Sequence, residues 1–317
     1  MVTEEFYFDS RDGKTRLHAV RYSPDDGIQI CGVLQIVHGM AEYIERYKEF
    51  AEYFTARGFV VTGEDHLGHG KSVDVAKGGM YGYFCKQDPA TVLVRDVHRL
   101  KKITQELYPK VPYVILGHSM GSFITRNYMF RYGTGICGAI IMGTGMQSPV
   151  SLGLAKAAVC VGKLFCGERH TGKLIDKLAF GGYNKRVNEP RTSWDWLSRD
   201  PEKVDAYIAD SMCGFPFTLN GFCTLFELIS RLYKSENLKE IPRELPVYMI
   251  SGTADPVGGY GRGVERAYDS LLAAGLNHVK LKMYEGGRHE LANESNREEV
   301  KKDIYDWLKG TVLTMER

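Results

Sequence analysis

Three residues of this chain have the side-chain types that together cleave an acyl bond, and each directly follows an apolar run. Ser119 lies in Gly117-His-Ser119-Met-Gly121, between residues 111–116, which read as a strand, and residues 119–132, which read as a helix. Glycines two positions before and after the serine predict a turn too tight for side chains. At a strand-to-helix junction such a turn holds a hydroxyl out at the carboxyl edge of a sheet. A serine hydroxyl is a weak nucleophile until a base takes its proton, and the base needs a third group to fix its tautomer. Asp255, in Ser251-Gly-Thr-Ala-Asp255-Pro-Val, follows the expected strand 246–250. His289, in Glu285-Gly-Gly-Arg-His289-Glu-Leu, follows the expected strand 279–284. All three therefore belong at one sheet edge, in the order serine, acid, histidine. A bare G-x-S-x-G also occurs as an ordinary glycine-rich turn, so the flanking elements and the two partners decide the reading.

The competing assignments are weaker. His278 precedes its strand and belongs at the opposite edge; His118 is locked beside the serine and points elsewhere; Glu265 and Asp269 fall within a helix. Glu290 reads equally as a partner of the site or as a helix cap. Acyl transfer also needs two donors for the developing oxyanion. One is the backbone N–H of Met120. The other is that of Met40, in His38-Gly39-Met40 after strand 33–37, where Gly39 permits a tight turn that aims the N–H inward.

The elements that must position these residues alternate short apolar runs with longer amphipathic ones, the pattern of an α/β fold with a mostly parallel sheet. Residues 5–8 and 17–22 flank Arg11-Asp12-Gly13-Lys14 and predict an antiparallel hairpin. Strands are expected at 32–37, 59–62, 111–116, 137–142, 246–250 and 279–284, and helices at 45–57, 88–107, 119–132, 264–274 and 297–308. Between about 147 and 240 the rhythm breaks: residues 151–165, 193–211 and 222–234 read as helical, with no clear strand. An all-helical insert of this length reads as a cap (147–240) over a core of 1–146 and 241–317, since structureless loops that long are uncommon.

Composition bounds the rest. The 317 residues are 44% hydrophobic, enough for a sizeable core in one α/β domain with an insertion or in two domains. Lysine and arginine number 41, aspartate and glutamate 39, for a formal net charge of +2. That balance gives no electrostatic reason to expect nucleic acid or an anionic membrane. The opening MVTEEFYFDS has no basic segment followed by an apolar core, and no apolar run is expected to reach the ~18 residues that span a bilayer. The seven cysteines (31, 85, 137, 160, 166, 213 and 223) are irregularly spaced and include no Cys-x-x-Cys, which suggests free thiols in a reducing cytoplasm.

Two further motifs are decoys. Gly70-Lys71-Ser72 looks like the end of a phosphate-binding loop, but Asp65 stands where its first glycine must be. Gly133-x-Gly135-x-x-Gly138 follows a helix and precedes a strand, the reverse of a dinucleotide site. His66 and His69 lack a third ligand for a metal. Neither a metal nor a cofactor is expected.

The motifs His38-Gly39-Met40-Ala-Glu42, Asp65-His-Leu-Gly68-His69-Gly70-Lys-Ser72, Gly117-His-Ser119-Met-Gly121, Asp255 and Gly-Gly-Arg-His289 resemble those of the monoacylglycerol lipase and lysophospholipase group of serine α/β-hydrolases. The resemblance covers roughly 1–146 and 241–317. It implies an eight-stranded α/β-hydrolase core with helices on both faces and a helical cap over an apolar acyl tunnel. It also implies Ser119 as nucleophile, Asp255 and His289 as its partners, and Met40 and Met120 as oxyanion donors. The family more often has alanine or a similar small residue where Met40 stands, so this side chain is expected to narrow the pocket entrance. The 65–72 stretch is expected to brace the site as a structural turn.

The apolar stretch SLGLAKAAVCVGKLF, residues 151–165, reads as packed core or as a lid helix that lines a lipid channel or touches a membrane surface. Phe215 and Phe217 are expected to add aromatic walls. The expected substrate is an ester with an acyl chain. The alternatives are a small-ester esterase, a serine aminopeptidase or amidase whose substrate amine would meet Glu189, Asp195 or Asp200, and a non-catalytic hydrophobic-ligand carrier. Epoxide hydrolases and haloalkane dehalogenases place aspartate where Ser119 stands, which argues against both.

Overall fold

The computed structural model describes residues 1–314. Eight strands form one sheet: β1 (Val2–Asp9), β2 (Arg16–Ser23), β3 (Gly32–Val37), β4 (Phe59–Glu64), β5 (Tyr113–His118), β6 (Gly138–Met142), β7 (Val247–Gly252) and β8 (Val279–Tyr284). Their order is β1-β2-β4-β3-β5-β6-β7-β8, antiparallel across β1, β2 and β4 and parallel from β4 onward. This is the α/β-hydrolase arrangement that the motifs implied. The central strands β3, β4 and β5 are buried along their whole length, as strands covered on both faces must be.

Alternate residues of a strand serve opposite faces. Val33, Val37 and Ile115 pack with α2 (Pro89–Leu107), α3 (Met120–Tyr132) and α9 (Arg262–Ala273) through Leu93, Val97, Ile124, Tyr128 and Val264. Leu34, Ile36, Val114 and Leu116 pack on the other face with α1 (Lys48–Thr55) and α10 (Arg297–Trp307) through Phe50, Phe54, Val300 and Ile304. These two apolar layers fix the height and register of the strands, and so of the loops at their carboxyl ends.

Between β6 and β7 the described residues form helices and turns, with one isolated bridge between Thr171 and Thr218. The helices are α4 (Pro149–Cys166), α5 (Lys173–Phe180), α6 (Pro201–Ala209), α7 (Leu219–Arg231) and α8 (Ser235–Lys239). Two expectations need correction here. The helix expected over 193–211 is confined to α6, which Asp200 caps by accepting the Glu202 N–H at 3.1 Å and Pro201 opens. The apolar helix is longer than read: α4 has 18 residues, and by length and composition alone it suffices to cross a membrane. Its lysines broke the run in the sequence. In the helix, however, Lys156 turns inward to Glu227 at 3.0 Å and to Ser230 at 3.2 Å, both on α7. Only Leu152 and Val159 of α4 are buried; Leu164 and Phe165 are 84% and 85% exposed. Leu174 and Leu178 of α5 are also exposed.

Candidate active site

Ser119 sits between β5 and α3 with φ 54° and ψ −118°, a backbone conformation that L-residues avoid. It persists because its surroundings over-determine it, at a cost of ~1–3 kcal/mol. The Ser119 N–H donates to the Met142 carbonyl at 3.0 Å, and the Ser119 carbonyl accepts from the Ser122 N–H at 2.9 Å. The two glycines are required by close approach. A Cβ at Gly121 would lie 1.9 Å from the Val37 carbonyl oxygen, and one at Gly117 2.3 Å from that of Gly121. β5 and α3 can therefore run this close to β3 only with hydrogen at both positions.

His289 Nε2 lies 2.8 Å from Ser119 Oγ, and His289 Nδ1 lies 3.0 and 3.1 Å from the two oxygens of Asp255. Asp255 is fully buried and accepts an N–H from Val257 at 2.9 Å and the Ser251 hydroxyl at 3.3 Å. With an acceptor-only carboxylate at Nδ1, the ring carries its proton there and offers Nε2 as acceptor to the Ser119 hydroxyl. The structure thus brings together the three residues that sequence order had placed at one sheet edge. The Trp196 ring lies against that of His289, tilted by 39° at 5.2 Å between centroids, and the Trp196 carbonyl accepts the His289 backbone N–H at 3.4 Å.

Met40 and Met120 line the same cavity as Ser119, and no acceptor among the described residues takes the backbone N–H of either. Gly39 is placed as required: a Cβ there would lie 2.6 Å from Glu42 and 3.1 Å from the Ser119 Cβ. Its N–H donates to Glu42 Oε1 at 2.5 Å. The loop is held from the other side by the 65–72 turn. The Ala41 N–H donates to His69 Nε2 at 3.2 Å, and His69 Nδ1 donates to the Leu67 carbonyl at 3.0 Å. Asp65 accepts the N–H groups of Ile44 and Lys71 at 2.9 and 2.8 Å and holds His18 at 2.9 Å. His66 Nε2 donates to the His38 carbonyl at 3.2 Å, so His66 and His69 both work as backbone braces. Burial lowers the His69 imidazole to about 3, so it stays a neutral acceptor.

Under this loop lies a buried four-charge cluster. Arg46 donates to Glu42 at 2.6 Å and makes a two-pronged pair with Glu290 at 2.7 and 2.8 Å. His118 Nδ1 donates to Glu42 Oε1 at 2.9 Å, and its Nε2 donates to the His289 carbonyl at 3.3 Å. Both His118 nitrogens face acceptors, so the ring is a protonated double donor. Burial alone would lower its pKa, but the Glu42 carboxylate outweighs burial and raises it. Burial likewise pushes the Glu42 carboxyl up, but the charges of His118 and Arg46 hold it well below the usual carboxylate range. Glu290, which sequence left open between two roles, is the second arm of this pairing and caps no helix with its side chain. The cluster ties Gly39 on one side of Ser119 to the backbone of His289 on the other.

Residues 28–296 match the family described as serine aminopeptidase, S33. The chain belongs to this family. Among similar proteins, the hydrolase is 29% identical over 280 residues to the monoacylglycerol lipase of Mycolicibacterium smegmatis, covering 87% of this chain and 88% of that one. It is 27% identical to the monoglyceride lipase of Rattus norvegicus, over 82% of this chain and 75% of the relative. A solved structure of a thermostable carboxyl esterase from Bacillus coagulans, in complex with glycerol, superposes with a TM-score of 0.90 at 32% identity, covering 98% and 99% of the two chains.

The cavity at Ser119 has a volume of about 550 Å³ and is walled mainly by apolar and aromatic side chains of the helices between β6 and β7. Phe215 contributes to the wall as expected; Phe217 packs behind it in the core. Three acidic residues that sequence offered as amine partners do not line it. Asp195 caps the turn at Arg191 and Thr192, Asp200 caps α6 and pairs with Arg297 at 3.0 Å, and Glu189 also lies off the cavity wall. Sequence reasoning missed Trp196, the Arg46–Glu290 pair and Asp176, a carboxylate on the cavity wall.

Proposed function

We propose that the protein hydrolyses carboxylic esters with a lipid-like acyl chain, of monoacylglycerol or lysophospholipid type, through an acyl-Ser119 intermediate. The observation that carries this reading is the unbroken hydrogen-bonded chain Ser119–His289–Asp255 opening onto an apolar cavity of about 550 Å³. His289 Nε2 takes the Ser119 proton as Oγ adds to the ester carbonyl. The N–H groups of Met40 and Met120 receive the oxyanion. The intermediate collapses as His289 returns the proton to the departing alcohol, leaving Ser119 acylated. A water deprotonated by His289 then releases the fatty acid and restores the hydroxyl. In this reading residues 147–240 act as a cap over a core of 1–146 and 241–317.

Each methylene buried in the cavity is worth ~0.8 kcal/mol. Across p-nitrophenyl esters from acetate to palmitate, kcat/KM is therefore expected to rise at least about tenfold from acetate to octanoate. A maximum at acetate would replace this reading with that of a small-ester esterase. Silence on every ester, with cleavage of an aminoacyl amide, would replace it with that of an aminopeptidase.

The exposed apolar face of α4 and α5 supports transient contact with lipid surfaces, from which acyl substrates are drawn. Residues 149–186 hold seven lysines and arginines against two acidic residues, a local surplus hidden in the chain-wide balance. The double variant Leu164→Asp, Phe165→Asp is expected to lower co-sedimentation with anionic phosphatidylglycerol vesicles about tenfold, while hydrolysis of soluble p-nitrophenyl butyrate stays unchanged. Equal sedimentation would refute the contact. The seven unpaired cysteines support a reducing, cytoplasmic setting.

A further inference from the structure

Asp176 faces the substrate cavity from α5 and is the one carboxylate of its wall without a partner. Glu42 and Glu290 also line the cavity, but both are bound by Arg46, and Glu42 by His118 as well. No hydrogen bond or ion pair is made by the Asp176 side chain among the described residues, although Lys173 and Lys177 lie on the same helix. Burial alone pushes its pKa up. A second acceptor in the wall is also unmatched: Gln147 donates to the Val257 carbonyl at 3.3 Å, which leaves its buried Oε1 with no donor. Ser151, the nearest hydroxyl of that wall in sequence, is engaged with Ser148 at 2.9 Å. The wall includes no lysine or arginine.

His118 spends its charge on Glu42, and the free N–H groups of Met40 and Met120 face Ser119; elsewhere the wall offers unmatched acceptors and no lysine or arginine, which makes it chemically one-sided. A ligand that brings donors satisfies groups that otherwise lose hydrogen bonds on desolvation. A ligand that brings a second anion meets a partly buried carboxylate with no lysine or arginine in the wall to neutralise it. An acyl chain has neither, so the discrimination acts on the polar part of the substrate.

We infer that Asp176 is a specificity residue that selects esters whose polar part presents hydroxyl or ammonium groups and rejects those that carry a phosphate or a free carboxylate. This rests on the ester-hydrolase reading above, and it narrows that reading, because a lysophospholipid places a phosphodiester in the polar part.

The test uses four esters with one common decanoyl chain: the methyl ester as a reference, the glycerol ester, the choline ester and the glycerol 3-phosphate ester. For the unmodified enzyme the glycerol and choline esters are expected to exceed the methyl ester in kcat/KM, and the phosphate ester to fall at least about tenfold below the glycerol ester. Asp176→Asn keeps the shape and an acceptor oxygen but removes the charge. It is expected to bring the phosphate ester to within about threefold of the glycerol ester, through KM, and to change the methyl ester least of the four. The two donor sources separate between this variant and a second. Loss confined to the choline ester assigns the role to charge, whereas Asp176→Leu should also weaken the glycerol ester, whose hydroxyls need the acceptor. Identical substrate ratios in the enzyme and both variants would overturn the inference. Failure of the unmodified enzyme on all four esters would instead overturn the hydrolase reading beneath it.

Discussion

Ser119→Ala is expected to lower kcat/KM for every ester the enzyme cleaves by ~10⁴-fold or more, with thermal stability within ~1 kcal/mol of the parent. The activity loss follows from the geometry. His289 Nε2 lies 2.8 Å from Ser119 Oγ and from no other hydroxyl in its hydrogen bonds, so no neighbour can take over the attack. The small stability change follows from the backbone. Alanine at φ 54° carries the same kind of strain as serine, and the Ser119 hydrogen bonds that hold the turn are made by its main chain. Covalent labelling by a fluorophosphonate should disappear in the same variant. Ester hydrolysis that survives in pure Ser119→Ala protein, in proportion to its concentration, would refute the nucleophile assignment.

Glu42→Ala is expected to be the most damaging change outside the three residues of the chain Ser119–His289–Asp255. The cluster holds two buried anions, Glu42 and Glu290, against buried His118 and the largely buried Arg46. Removing Glu42 leaves one uncompensated positive charge in the interior, an event that costs ~3–5 kcal/mol. It also removes the acceptor of the Gly39 N–H, releasing the loop that lines the cavity beside Ser119. Stability measured by urea unfolding and kcat measured on a soluble ester should therefore fall together. Glu42→Gln retains an acceptor for Gly39 and should recover part of the kcat while remaining less stable than the parent. A Glu42→Ala protein with parental stability and kcat would show that the cluster bears neither load.

The sheet was legible because its strands are runs such as Gly32–Val37 and Val279–Tyr284, bounded by turns, and the candidate site because Ser119, Asp255 and His289 each stand just past such a run. What escaped is what needs contacts distant in sequence. Arg46 and Glu290 are 244 positions apart, and Glu42 and His118 are 76 apart, so no local pattern announces either pair. α5 escaped for a different reason: it is eight residues long, just over two turns, too short for the apolar spacing of Leu174, Ile175, Leu178 and Ala179 to stand out. The stretch before α6 misled because Trp196 and Leu197 spend their carbonyls on the N–H groups of His289 and Glu290 rather than on a helix ladder.

The strands that bracket the helical insert, β6 and β7, are hydrogen-bonded neighbours in the sheet. Everything between them is one long detour whose two ends are anchored side by side. Ser119, Asp255 and His289 all lie outside that detour, whereas most of the cavity wall lies inside it. Lineages can therefore rewrite much of the detour without disturbing a strand, provided that the carbonyls of Trp196 and Leu197 still meet the N–H groups of His289 and Glu290. Most of the cavity wall is thus written on one stretch of the gene and the candidate reacting groups on others, so selection can alter much of the first while conserving the rest.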